Sequence, residues 1–518
     1  MINNNTYIGI TIGPIYNTIR LSSTPAAMWL SSYMFSHISY RICEKIADKL
    51  SKDALISPNY DCENVAKLKN GIGLFHDRII FETTDQAHDM ELIKTIFTDV
   101  KYEIAQLFGS QYKDWFAQYL QFHAVAFEAE DGTPILESAQ FLDAIECEKT
   151  FPVITEKNPF LTVFEADNKN KLIHDKAKEA FKLEEWPFIP SENGSMADMK
   201  EIVGKVKESK RNGPKARKAY SYYAVVQSDG DSFGEYIKKK EKDGKSKCFS
   251  KQCLNFCSTA SDLIQNYGGV TIYAGGDDLL FLAPLWENPN SPTQSGKNLI
   301  NLLIDLKTAF QKEFAEGKDA PPTISFGVAI RFYKYPLYEA FDEAYDMLSH
   351  HAKSGEKNSI ALSLQKHSGQ TVQFVMENFS KKCGPECDIE CGKEASIVPA
   401  KLSEMITAKT NGDFLKSVST KIWQFQSLFE LALSKKSSSI LQNIFDNTFD
   451  SDIHKKYKSE LDETKELLTD LTEKKSHVRE IGKKHCKKSD PLYSLDALLR
   501  FVKFFTETVD EEEKNNAD

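Results

Sequence analysis

The chain has 518 residues, of which 41% are hydrophobic and 27% charged, so it can bury several cores and is not an intrinsically disordered chain. Its net charge of −10 argues against a uniformly basic nucleic-acid binder, though not against local basic surfaces. We expect a cytoplasmic protein without a membrane span, since no signal peptide is visible, the ten cysteines suit a reducing compartment, and aspartates interrupt the most apolar window.

The first 150 residues show alternating β-type and helical patterns. Strands are expected at 6–12, 78–83 and 122–129, and helices near 24–50 and 86–108. Residues 1–150 are therefore predicted to form an α/β domain. A polar stretch rich in helical patterns follows, so residues 151–217 are expected to form a helical linker domain that ends in a basic, solvated segment.

A clearer pattern covers residues 218–372. The predicted elements are a strand at 222–228, a helical region at 233–266, a β-hairpin at 270–284, a helix at 297–315, a strand at 323–330, a helix at 337–352 and a strand at 358–364. This β-α-β-β-α-β order, followed by α-β, is that of the ferredoxin-like fold, which serves as the palm of many nucleotidyl transferases. The predicted fold class is therefore α+β.

The remaining chain, 373–518, is predicted to be a C-terminal helical domain. We expect a strongly charged, solvent-facing helix at 455–486 and a disordered acidic tail, VDEEEKNNAD.

The most informative motif is Gly275-Gly276-Asp277-Asp278, at the turn of the hairpin in the second α/β domain. Two adjacent carboxylates repel each other, and solvent or a divalent cation compensates them best. Asp229 ends the first strand of this domain, which the fold places beside the hairpin. Three carboxylates on adjacent strands fit Mg²⁺ or Mn²⁺, and such ions can serve phosphoryl-group chemistry.

Residues on either side of this acidic set are expected to bind nucleotide phosphates. Glycines allow close approach of the backbone, and a helix start offers free N–H groups to an anion. The residues concerned are Gly230, Asp231, Ser232, Phe233, Gly234, Gly275 and Gly276. Lys353 and Lys357 lie four apart and would share one face if their helix continued past Gly355, which suits them to neutralise a triphosphate.

These motifs resemble the GGDEF-type cyclase core, and more specifically the large polymerase/cyclase subunit of type III-B (Cmr-type) CRISPR complexes. The resemblance rests on Asp229-Gly230-Asp231, GGDD, Ser325-Phe326-Gly327-Val328-Ala329 and AKSGEKN at 352–358. Two further stretches, IGITIGPIYNTIRLSSTPAAMWLSSYMFS and SLQKHSGQTVQF, are similar to that family. The likeness covers about residues 6–370.

The resemblance implies two facing palm domains and a helical C-terminal domain. It further implies that two ATP molecules bind between the palms and are joined into cyclic oligoadenylate when target RNA pairs with a guide RNA, within a complex of several subunits. Asp229 and Asp277 would be the main metal ligands, Asp278 a ligand or close neighbour, and Lys353 and Lys357 the triphosphate ligands. Asp231 would bind nucleotide or support the turn.

Many members of that family begin with an HD nuclease domain. The first palm-like strand begins by residue 6, so we expect no such domain and no HD-type DNase activity. Three His-Asp pairs, which begin at His76, His88 and His174, are interpreted as incidental.

Cys383, Cys387 and Cys391 are evenly spaced by four residues. A zinc site, with His485 or Cys486 as fourth ligand, and a loop with free thiols are equally compatible with this spacing.

Three alternatives to cyclic oligoadenylate synthesis stay open. AMP could be transferred to another acceptor, as in members of the family that use S-adenosylmethionine. The chain could instead be a non-catalytic RNA-binding scaffold, against which the intact acidic set argues. A free-standing diguanylate cyclase is less compatible with GGDD and with the absence of a recognisable sensor module.

Overall fold

The computed structural model describes most of both α/β domains and most of the C-terminal helices. The described residues are 5–22, 24–60, 73–129, 132–147, 203, 217–289, 292, 295–315, 321–355, 357–377, 397–408, 410–435, 438–449, 452–472, 478–481 and 491–508. The predicted linker domain and the acidic tail lie almost wholly outside them.

The first α/β domain is a four-stranded antiparallel sheet covered by helices. Its elements are β1 (Thr6–Gly13), α1 (Ile15–Arg20), α2 (Pro25–Lys49), β2 (Leu55–Ser57), β3 (Arg78–Thr83), α3 (Gln86–Phe108), α4 (Lys113–Tyr119), β4 (Gln121–Glu128) and α5 (Pro134–Glu146). The strand order is β2-β3-β1-β4, with β1 at the centre paired to β3 and β4. This is the ferredoxin-like order, and we call this domain the first palm.

The second α/β domain repeats this topology, and we call it the second palm. Its elements are β5 (Tyr222–Asp231), α6 (Phe233–Lys242), α7 (Ser246–Tyr267), β6 (Val270–Gly275), β7 (Asp278–Pro284), α8 (Leu299–Glu313), β8 (Thr323–Phe332), α9 (Leu337–Asp346), β9 (Ile360–Gln365) and β10 (Thr371–Met376). The order β8-β5-β7-β6 is again ferredoxin-like, and β9 extends it as a parallel neighbour of β8. The predicted α+β class is confirmed.

Helices make up most of the described C-terminal region. They are α10 (Val398–Thr407), α11 (Gly412–Gln424), α12 (Gln426–Ser434), α13 (Ser438–Thr448), α14 (Asp452–Lys455), α15 (Lys458–Thr472) and α16 (Pro491–Thr506), with one short strand, β11 (Val478–Glu480). No helix among the described residues is long and apolar enough to cross a membrane.

The predicted charged helix at 455–486 was wrong in its extent and in its exposure. Helix α15 ends at Thr472, and β11 pairs with β10 at the edge of the second-palm sheet. Leu467 and Leu468 of α15 are fully buried, so this helix packs on the core despite its charged residues. Charge density identified the solvent-facing side of the helix but not its buried stripe.

Candidate active site

The turn between β6 and β7 presents the two adjacent aspartates. Gly276 adopts a left-handed conformation with φ of 69°, which favours glycine. A β-carbon on Gly275 would lie 2.4 Å from the hydroxyl oxygen of Tyr273. The turn itself thus requires glycine at 276, and a side chain at 275 would have to displace the Tyr273 ring; the turn holds Asp277 and Asp278 at its tip.

Asp229 meets this turn because β5 pairs directly with β7. The register places Ser228 opposite Leu279, so the next residue of β5 lies beside the aspartates. One carboxylate oxygen from each of Asp229, Asp277 and Asp278 lies within 4.8 Å of the others. The structure therefore brings together the three carboxylates that the sequence predicts, and we call them the acidic cluster. Within the described residues it is the one group of three such ligands.

Electrostatics disfavour full ionisation of the acidic cluster without a compensating cation. Burial, followed by repulsion from Asp229, raises the pKa of Asp277 to about 7. Burial, followed by repulsion from Asp277, raises the pKa of Asp278 well above its ordinary value, even though its carboxylate borders the open cleft. Three hard oxygen ligands with excess negative charge could hold Mg²⁺ or Mn²⁺.

The two predicted lysines also reach this site. Helix α9 continues into a π-helical turn, Met347–Ala352, which ends directly before Lys353. The Lys353 ammonium pairs with the carboxylate of Asp229 and donates to the Gly230 carbonyl oxygen at 2.7 Å. Lys357 lies beyond the helix in a left-handed conformation, with φ of 62°, and donates to Ser232 Oγ at 3.3 Å. The lysines converge on the end of β5, although not as one face of a continued helix.

Asp231 has a different environment from the acidic cluster. It is 5% exposed and accepts hydrogen bonds at 2.8 Å from Thr323 Oγ1, Ser325 Oγ and the Asn358 backbone N–H. These bonds tie the end of β5 to β8 and to the segment that carries Lys357. Its side chain thus supports the turn, which is the second of the two roles expected for it.

The other residues predicted to bind phosphate differ in accessibility. Phe233 is buried among aromatic rings, so only its backbone faces the turn, whereas Ser232 and Gly234 are exposed. Gly230 is held close to the acidic cluster, since a β-carbon there would lie 2.5 Å from Asp277 Oδ2.

A cleft of about 800 Å³ opens in front of the acidic cluster, between the two palms. The second palm contributes Asp229 and Asp278, and the first palm contributes Asp77, His123 and other polar and apolar groups. The described residues that line this cleft include no lysine or arginine. Cationic side chains beside the cleft include Lys353 and Lys357 at the end of β5 and, on the first palm, Arg78, which pairs with Glu146.

The first palm carries a structural counterpart of the acidic cluster with one carboxylate in place of three. Asp77 immediately precedes β3, as Asp277 immediately precedes β7. Thr11 pairs with Arg78 across β1 and β3, at the positions that correspond to Asp229 and Asp278. Sequence reasoning missed this correspondence, since it depends on the strand register.

A closed side-chain network fills this counterpart site. Arg78 pairs with Asp143 at 2.5 Å and with Glu146 at 3.0 Å, and Thr11 donates to Glu146 at 2.7 Å. Asp77 stays at the cleft, and burial raises its pKa to about 6. The first palm therefore lacks a set of three carboxylates and instead contributes acidic groups to the cleft wall.

Some predicted residues lie apart from this site or outside the described residues. The His76 ring hydrogen-bonds Ser57 Oγ at 3.1 Å, and His88 pairs with the neighbouring Asp89 at 3.0 Å. Cys383, Cys387 and Cys391, with His174, His485 and Cys486, fall outside the described residues.

Family models match both palms. Residues 222–361 match the second palm domain of Cas10/Cmr2, and residues 7–109 match the N-terminal region of the CRISPR-associated protein Cmr2. The CRISPR system Cmr subunit Cmr2 of Pyrococcus furiosus is 27% identical over 175 residues, which are 29% of this chain and 19% of that protein. The match thus spans about a fifth of the curated relative's length.

Solved structures share the fold across almost the whole chain. The type III-B Cmr-beta structure in its apo state has a TM-score of 0.59 at 10% identity and covers 96% of this chain and 81% of that one. Cmr-beta bound to cognate target RNA gives 0.55 at 10% identity, covering 97% and 83%. A Csm1–Csm4 cassette in complex with cA4 gives 0.53 at 13% identity, covering 97% and 70%.

The paired palms and the acidic cluster define a protein of the palm-domain class. Over these palms the chain is similar to Cas10/Cmr2 proteins, in agreement with the resemblance to the large type III-B subunit that its sequence motifs carry.

Proposed function

We propose that this protein is a metal-dependent nucleotidyl transferase subunit of a type III CRISPR complex. In this proposal it makes an adenylate second messenger, cyclic oligoadenylate, from ATP when target RNA is bound. The observation that carries the proposal is the convergence of the acidic cluster with Lys353 and Lys357 at a cleft large enough for nucleotides.

The residues of the site divide the chemistry among them. Asp229, Asp277 and Asp278 would hold Mg²⁺ or Mn²⁺, which supplies positive charge to phosphate oxygens when bound. Lys353 pairs with Asp229 and, with Lys357, would bind the triphosphate of ATP. The missing side chain of Gly230 leaves room for Asp277 beside the end of β5.

The proposed partners are guide RNA, target RNA and the other subunits of such a complex. Support comes from the fold shared with structures of Cmr-beta bound to cognate target RNA and of Csm1–Csm4 in complex with cA4. Those partners and ligands are those of the compared structures, and we extend them to this chain because both palms are similar to Cas10/Cmr2 and the acidic cluster is intact.

The test is ATP turnover by the assembled complex with target RNA, with products identified by mass spectrometry. Asp277→Ala combined with Asp278→Ala should abolish the adenylate product while the complex still assembles. The matched control is Asp413→Ala with Asp446→Ala, two exposed aspartates on C-terminal helices, which should leave the product unchanged. Product synthesis retained by the first double variant would refute the site assignment.

A second candidate function is transfer of AMP to a different acceptor, such as S-adenosylmethionine. The acidic groups of the first palm favour it: Asp77 and Glu146 line that side of the cleft, and the neighbouring cation, Arg78, is already paired with Asp143 and Glu146. A carboxylate attracts a positively charged sulfonium and repels a triphosphate.

Reactions with and without S-adenosylmethionine separate the two candidates by product mass. Under the second candidate, the product requires S-adenosylmethionine, and Asp77→Asn raises the KM for that acceptor more than the KM for ATP. Oligoadenylate formed from ATP alone would exclude the second candidate.

A further inference from the structure

A lysine-rich surface covers the outer side of α6 and the beginning of α7. Its exposed members are Lys238, Lys239, Lys242, Lys245, Lys247 and Lys251, and we call them the lysine surface. Among the exposed residues between 238 and 251, Asp243 is the one acid. This surface is therefore strongly positive on a chain whose net charge is −10.

The same stretch also contains two buried charged residues, and both have structural partners. Lys240 donates to Gln252 Oε1 at 3.2 Å. The Glu241 carboxylate accepts from the backbone N–H groups of Ile135 and Leu136 at 2.6 and 3.1 Å. Lys238 and Lys242, by contrast, form no ion pair with any described residue. The helix dipole favours Lys242 in the last turn of α6, but it disfavours Lys245 and Lys247 at the start of α7, so helix stability does not explain the whole lysine surface.

The lysine surface begins near the candidate active site. Helix α6 starts directly after Ser232, which accepts a hydrogen bond from Lys357. Its ten residues span about 15 Å at 1.5 Å per residue. At the far end, Lys247 donates to the Asp53 carbonyl oxygen of the first palm. The positive charge thus runs from the triphosphate-binding lysines along the contact between the palms.

We propose that the lysine surface binds the phosphate backbone of single-stranded RNA. Exposed large hydrophobic side chains among the described residues all lie elsewhere, whereas protein interfaces usually have an apolar centre. A chain of exposed lysines without such a centre suits a polyanionic backbone, whose binding depends on phosphate contacts. The positive surface is independent of the proposed function. The choice of RNA as the polyanion rests on the proposed function.

The test measures binding of a fluorescein-labelled 20-nucleotide single-stranded RNA of mixed sequence to the full chain, without ATP or metal. Lys238→Glu, Lys242→Glu and Lys245→Glu together should weaken binding at least tenfold. They should also reduce the slope of log K against log salt by about 2, since each phosphate contact on a single strand contributes about 0.7. The control triple Lys416→Glu, Lys435→Glu and Lys458→Glu changes net charge equally and should alter affinity less than twofold.

Equal losses in both triple variants, or no RNA binding by the wild type, would overturn the proposal. Poly-glutamate that competes as effectively as unlabelled RNA would also overturn the proposal, because it would indicate an acidic protein partner. The double variant Asp277→Ala, Asp278→Ala should bind RNA like the wild type. Failure of RNA binding and failure of nucleotidyl transfer are therefore distinguishable.

Discussion

At Gly230, a β-carbon would lie 2.5 Å from Asp277 Oδ2 and 2.9 Å from Asp277 Cβ. Because the backbone here is held between β7 and β8, the side chain of Asp277 would have to move. At Gly234, four residues on, the nearest atom to such a carbon is Leu136 Cδ1 at 3.9 Å, an ordinary contact. A side chain at position 230 would therefore displace Asp277, whereas a β-carbon at position 234 would fit.

Gly230→Ala should therefore weaken Mn²⁺ binding by the acidic cluster at least tenfold while the chain stays folded. Gly234→Ala is the matched control and should bind Mn²⁺ like the wild type. Isothermal titration calorimetry measures both affinities, and circular dichroism checks folding. Unchanged affinity in Gly230→Ala would mean that the position of Asp277 does not matter for the metal.

Asp77 gives a pH-dependent effect on stability. Its pKa rises from 3.8 to about 6 on folding because burial disfavours the carboxylate. The folded state then binds the proton more tightly than the unfolded state, so the stabilisation from this group is present below pH 4 and is lost as pH rises through 6. The shift corresponds to at most about 3 kcal/mol.

Asp77→Asn should accordingly raise the melting temperature by a few degrees at pH 7.5, and this gain should shrink towards zero at pH 4. Differential scanning fluorimetry across that range measures it. A gain that is the same at both pH values would show that the charge of Asp77 is not responsible.

Among the helices, α5 and α6 form a direct link between the palms. Thr133, at the N-cap of α5, forms no side-chain capping bond, and the Glu241 carboxylate of α6 accepts from the N–H groups of Ile135 and Leu136 instead. A carboxylate at a helix N-terminus satisfies free N–H groups and interacts favourably with the helix dipole. One palm thus caps a helix of the other.

Glu241→Ala leaves two N–H groups without an acceptor and should cost about 1–3 kcal/mol. Glu241→Gln retains one acceptor oxygen and should lose less. We expect the melting temperature to fall from the wild type to Glu241→Gln and further to Glu241→Ala. Hydrogen exchange should speed up first at the start of α5. Equal melting temperatures for all three proteins would contradict a capping role.

Sequence patterns predicted the long strands and helices of both palms because period-2 and period-3.6 hydrophobicity is local, but they missed the shorter helices α1, α4 and α5 of the first palm. They did not predict β2, β10 or β11, which are short and depend on pairing with distant strands. Val478 of β11 pairs with Met376, about a hundred residues away, and no local signal specifies that partner.

Across the whole molecule, the two palms share one topology but differ in chemistry. The acidic cluster was predictable, since its motifs are contiguous and the fold places them together. The Thr11–Arg78–Glu146 network was not, because it links residues on β1, β3 and α5 through tertiary packing. Under the proposed function, the second palm would hold metal and triphosphate, and the first palm would form the wall opposite them.

The proposed function requires that Asp229, Asp277 and Asp278 bind a divalent cation together with ATP. Electron paramagnetic resonance of Mn²⁺, titrated into the chain with a non-hydrolysable ATP analogue, tests it most directly. We expect Mn²⁺ binding by the wild type that tightens with the analogue, and at least a tenfold loss in Asp229→Asn and in Asp277→Asn. Equal Mn²⁺ affinity in the wild type and both variants would contradict it.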